Sequence, residues 1–61
     1  MKANQLKPWN TTREVAAYLN VSTRTVERLI RNGALPATKL GRLVRISAAA
    51  VLMYINSNSP V

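Results

Sequence analysis

Apolar residues recur at helical spacing in three short stretches of this chain, and a fourth stretch places short apolar runs on either side of a glycine. The first helical stretch carries Val15, Ala16 and Leu19 on one face. It is preceded by Thr11-Thr12-Arg13-Glu14, which reads as a capping box: the threonine hydroxyl serves the N3 amide while Glu14 reaches back to the cap's own N–H. Asn20 is placed to end this helix, because asparagine adopts a left-handed conformation at low cost. The second stripe, Val26, Leu29 and Ile30, is opened by Ser22 as N-cap and closed by Gly33. Two short helices joined through Asn20-Val21 make a tight helix-turn-helix.

Leu35-Pro36 interrupts the helical pattern. Ala37 to Leu40 and Leu43 to Ile46 then read as two strands around Gly41-Arg42, a hairpin pairing Lys39 with Val44 and Thr38 with Arg45. Ser47 caps a last helix whose stripe, Ala48, Val51, Leu52 and Ile55, closes the core. Residues 1–9 show no periodicity and form an arm, in which Pro8 forbids an early helix and Trp9 is expected to tuck against the core edge. Residues 57–61 read as a polar tail. The expectation is a mainly α domain over residues 10–56, a winged helix-turn-helix of three helices and a two-stranded wing.

Composition narrows the chemistry. Of 61 residues none is cysteine or histidine, which excludes disulfides, the usual zinc cages and thiolate catalysis. With two carboxylates in the chain and Glu14 committed to capping, an enzyme is hard to build: no catalytic residues, metal, cofactor or small-molecule substrate are expected. The two glycines belong to a helix stop and a turn, so there is no phosphate-cradling loop. The longest apolar run, Ala48 to Ile55, is too short to span a bilayer, and the start has no apolar signal core. The expected setting is the cytoplasm, with no membrane partner.

Nine Lys and Arg against two acids give a net charge of +7, which calls for an anionic partner. Six of the nine (Arg24, Arg28, Arg31, Lys39, Arg42 and Arg45) fall in one stretch whose single acid is Glu27. Double-stranded DNA fits this layout, because the major groove admits one helix and the Ser22 to Asn32 segment presents an unbroken polar side. Arg28 is the first candidate for a base contact and Arg24 the second, each able to bond guanine O6 and N7 together. Thr23 and Thr25 can reach a phosphate or a thymine methyl, and the helix start at Ser22 favours a phosphate oxygen. Arg31 either faces DNA or pairs with Glu27. Glu27 either accepts from cytosine N4 or orients Arg24 or Arg31, and the orienting role is the commoner one. On the wing, Lys39, Arg42 and Arg45 can straddle a backbone, with the tip arginine entering the minor groove. A protein-interaction module whose basic face meets an acidic partner is the alternative from a different class.

From Asn10 to Ile55 the order of signals resembles the excisionase-type DNA-binding domains, which are related to the reading heads of mercuric-resistance-type regulators. The likeness is carried by Thr11-x-x-Glu14-Val15-Ala16-x-x-Leu19-x-Val21-Ser22-x-x-Thr25-Val26-x-Arg28-Leu29-Ile30, by Gly33-x-Leu35-Pro36-Ala37-x-Lys39-x-Gly41-Arg42, and by Arg45-Ile46. It implies a bacterial or phage setting with Arg24, Arg28 and their neighbours in the major groove and Arg42 with nearby basic residues on the minor groove or backbone. In phage members it further implies a recombination directionality factor that binds attachment-site DNA, bends it, lines up head to tail and biases a phage integrase toward excision. Action as a small prophage transcriptional regulator is the alternative. Three positions depart from the pattern. Asn10 and Ala50 stand where an apolar and an acidic residue are usual, and Leu43-Val44 where the wing commonly carries an aromatic. Tyr54 matches an aromatic position of the last helix and is expected to pack, leaving Met53 more exposed.

Overall fold

The computed structural model describes residues 5–58, so Met1 to Asn4 of the expected arm and the tail beyond Asn58 lie outside it. The chain runs β1 (Trp9–Asn10), α1 (Thr12–Leu19), α2 (Thr23–Arg31), β2 (Thr38–Leu40), β3 (Leu43–Ser47) and α3 (Ala48–Ser57). Three helices and a small antiparallel hairpin, as the pattern predicts, make a winged helix-turn-helix.

The termini of α1 and α2 are fixed by local chemistry. Thr11 accepts from the Glu14 amide at 3.0 Å while its own amide donates to Glu14 Oε1 at 2.9 Å, completing the capping box. At the other end of α1, Asn20 sits at φ 61° and ψ 45°. The amides of Asn20 and Val21 donate to the carbonyls of Ala17 and Ala16 at 3.2 and 2.9 Å, the crossed pair of a Schellman motif. The same device ends α2. Gly33 is at φ +80°, its amide donating to Ile30 O at 3.1 Å and that of Ala34 to Leu29 O at 2.9 Å. One residue after this motif, Leu35 turns inward and is 1 % exposed.

The core is assembled from most of these elements: Val15 and Ala16 of α1, Val26 of α2, Ile46 of β3, Ala50 and Val51 of α3, and Leu35 between α2 and the hairpin. Each fully buried aliphatic contributes roughly 1.5–3 kcal/mol. A domain of this length retains only about 3–5 kcal/mol net, so no core side chain is dispensable.

The sheet is larger than the pattern predicts. Trp9 and Asn10 pair antiparallel with Ser47 and Ile46, giving three strands in the order β1-β3-β2. Asn10 explains why a polar residue can occupy a usually apolar position. It is 1 % exposed, accepts from the Lys7 amide at 2.9 Å, and donates from Nδ2 to the carbonyls of Lys7 and Ile46 at 2.8 and 3.1 Å. Every polar atom of the amide is used, as burial requires. This knot turns the incoming chain onto the sheet.

Two apolar residues lie elsewhere than expected. Trp9 does not tuck against the core: side chains alternate between faces of a strand, and with Asn10 buried Trp9 takes the outer face, where it is 47 % exposed. Leu52 does not join the α3 stripe and is 51 % exposed. The helix instead turns Ala50 and Val51 inward, with Tyr54 and Ile55 packed against the core. Met53 is exposed, as expected.

Candidate nucleic-acid interface

α2 is held rigidly at both ends. Ser22, in an extended conformation, accepts from the Thr25 amide at 3.2 Å, and its Oγ lies 3.0 Å from the Thr25 hydroxyl. The cap engages the Ser22 and Thr25 hydroxyls with each other, while the Thr23 side chain beside them is exposed. One helical face is anchored by Val26, fully buried, with Leu29 and Ile30 half-buried beside it.

The other face carries the charge. Arg24, Glu27, Arg28 and Arg31 are exposed and together line one shallow concavity of about 320 Å³. At roughly 100° per residue, positions 24, 27, 28 and 31 must share a face, and the structure makes that face continuous. Among the described residues the one ion pair is Lys7–Glu14, and Glu27 forms none with Arg24 or Arg31. Exposed pairs gain little against the entropy of fixing two long side chains, and all four groups remain solvated.

The wing register is the expected one: Thr38 opposite Arg45, Lys39 opposite Val44, Leu40 opposite Leu43. Of the two turn residues only Gly41 has positive φ, at +67°, the pattern of a type II′ hairpin turn. Arg42 is exposed at the tip. Paired residues share a face, so Lys39 lies with Val44 on the side of buried Ile46, and Arg45 emerges on the opposite side. Arg45 is half-buried and its Nη1 donates to Val44 O at 2.9 Å, which lays the guanidinium along the sheet. The outer face also exposes Trp9, Leu40 and Leu43.

Lys7 is the basic residue that sequence reasoning passed over. Its Nζ lies 2.5 Å from Glu14 Oε2, and with the Thr11 amide it holds the Glu14 carboxyl below its ordinary pKa of 4.5. Seven residues separate the partners and no periodic signal links them. The chain between them carries the Asn10 amide, which bonds the Lys7 backbone.

A helix pair with a tight turn, a polar basic face on the second helix and a basic hairpin define a winged helix-turn-helix protein. The chain belongs to the family described as "Helix-turn-helix domain", whose model matches residues 11–59. It is similar to two Mycobacterium tuberculosis proteins, from different strains, that bear the name "Putative DNA-binding protein". Each is 54 % identical over 41 residues, 67 % of this chain and 53 % of the relative. It is also similar to a protein of the same organism named "Putative antitoxin", 46 % identical over 44 residues, 72 % of this chain and 34 % of that protein. The chain thus spans about half the length, or less, of the curated relatives it matches.

Proposed function

We propose that this chain reads duplex DNA sequence-specifically, with α2 in the major groove and the β2–β3 hairpin on the flanking backbone and minor groove. One observation carries the reading: α2 buries Val26 while presenting Arg24, Glu27, Arg28 and Arg31 on one continuous exposed face. A guanidinium on such a face can bond guanine O6 and N7 together, worth roughly 1–3 kcal/mol of discrimination. Thr23 serves a phosphate at the helix start. Arg42 at the tip and Lys39 on β2 supply contacts that hold any duplex, and Arg45 acts from the opposite side of the hairpin.

The setting we assign is that of a bacterial or phage recombination directionality factor of excisionase type, acting in the cytoplasm. It occupies attachment-site DNA as copies lined up head to tail, bends it, and biases an integrase toward excision. The support is the residue pattern over Asn10 to Ile55. A second setting is a small prophage regulator on a promoter operator, which would use the same α2 face and need no integrase.

Anisotropy titrations of labelled duplexes, chosen by selection from random sequence, test the first claim. Selected duplexes should bind at least about a thousandfold more tightly than scrambled ones at equal salt, with affinity falling steeply as salt rises. Equal affinity for both would overturn the sequence-specific reading. Circularly permuted fragments separate the settings: in-phase sites and a sizeable bend belong to the excisionase, a single unbent operator that alters expression without integrase to the regulator.

A further inference from the structure

The recognition face contains one residue that works against DNA binding. Glu27 is exposed, carries no ion pair and makes no side-chain hydrogen bond among the described residues, yet it lines the same concavity as Arg24, Arg28 and Arg31. A carboxylate there meets a field of phosphates and weakens association with every duplex. Neither end of its helix depends on it. The cap of α2 belongs to Ser22, the helix end to Gly33, and neither uses Glu27.

An ionised carboxylate only accepts hydrogen bonds. The major-groove edges of the bases offer two donors, cytosine N4 and adenine N6, and the adenine donor sits beside an acceptor, N7, that a carboxylate would face unfavourably. Cytosine N4 has no such neighbour on its own base. Arginines at positions 24, 28 and 31, one turn before, beside and one turn after Glu27, are suited to guanine O6 and N7.

We propose that Glu27 is a specificity-determining residue that accepts a hydrogen bond from the N4 amino group of one cytosine, its arginine neighbours reading guanines close by. The proposal rests on the placement of α2 in the major groove. Glu27 thus trades general affinity for discrimination: it lowers binding to all duplexes through repulsion and restores it on those with cytosine at one position.

The test combines a change in the protein with a change in one DNA atom group. The duplex selected by the wild-type chain is synthesised with each cytosine replaced in turn by N4-methylcytosine, whose methyl group takes the place of the groove-facing hydrogen. At one cytosine the modification should weaken the wild-type chain about 5- to 150-fold and leave Glu27→Ala unaffected. Glu27→Ala should also bind scrambled duplexes more tightly than wild type does, and Glu27→Gln, whose amide bonds adenine N6 and N7 together, should shift the selected base at that position toward adenine. Far-UV circular dichroism confirms that the variants keep the helices. If N4-methylation weakens both chains equally at every cytosine, or Glu27→Ala keeps the wild-type base preference, Glu27 is an electrostatic brake and not a reader. If the wild-type chain selects no sequence, the placement of α2 itself fails, which is a different result.

Discussion

Asn10 offers the sharpest test of how the fold is held. Asn10→Ala deletes three hydrogen bonds from a site that is 1 % exposed, and strands the Lys7 amide and the carbonyls of Lys7 and Ile46 that they served. At about 0.5–1.5 kcal/mol for each bond, the loss is on the order of 2–4 kcal/mol. That is comparable with the whole stability of about 3–5 kcal/mol expected at this length. In a small domain each kcal/mol moves the melting temperature by roughly 4–8 °C, so the midpoint should fall by about 8–32 °C. The loss is one of folding and not of contact with DNA. A cognate duplex at a hundred times its Kd should therefore return about 2.7 kcal/mol to the folded form. Thermal melts followed by circular dichroism, with and without duplex, measure both quantities. A variant melting within 2–3 °C of the parent would refute the claim that the amide knot turns the chain onto the sheet.

Arg28→Ala and Arg42→Ala should differ in kind: the first relaxes preference at one base pair, the second weakens all duplexes alike and flattens the salt slope by about one, read from titrations at several salt concentrations. Glu14 has its pKa lowered chiefly by the hydrogen bond from Lys7 and then by the Thr11 amide. Its stabilisation is therefore full above the ordinary carboxylate pKa and lost as pH falls through the lowered one. The stability advantage over Glu14→Gln should be constant near neutral pH and shrink in acid, as denaturant melts across pH 7 to 3 would show. Gly33→Ala meets no atom within 4 Å but must hold φ +80°, so it should cost about 1–2 kcal/mol from backbone strain alone, and Gly33→Asn less. Leu35→Ala removes a fully buried side chain, costing about 2–5 kcal/mol and leaving a largely unfolded chain in far-UV spectra.

What could be read from the sequence was local. The two Ser caps, the Thr11–Glu14 box, the Asn20 and Gly33 stops and the hairpin register all depend on residues within a few positions of each other, and each is where the pattern puts it. β1 escaped because a two-residue strand has no periodicity and exists only through its pairing with β3, far along the chain. The rotation of α3 is not legible in the sequence for a related reason. Ala48–Ser57 contains no charged residue, so no polar face marks which apolar residues turn outward, and packing decided for Tyr54 over Leu52. On α2 the opposite holds: the charged and apolar sides are distinct, and the shared face of Arg24, Glu27, Arg28 and Arg31 followed from spacing alone. The state of its groups did not. That Glu27 has no ion-pair partner among the described residues, and that the Ser22 and Thr25 hydroxyls meet, are matters of side-chain geometry.

Whether α2 reads base edges from the major groove can be settled by methylation interference. Methyl groups at guanine N7 project into the major groove and those at adenine N3 into the minor groove. On a selected duplex N7 interference is expected at guanines beneath α2, with one of these signals lost in Arg28→Ala, and N3 interference only in the flanking segment where Arg42 reaches. Interference confined to adenine N3, or N7 signals identical in the wild-type and Arg28→Ala chains, would contradict it.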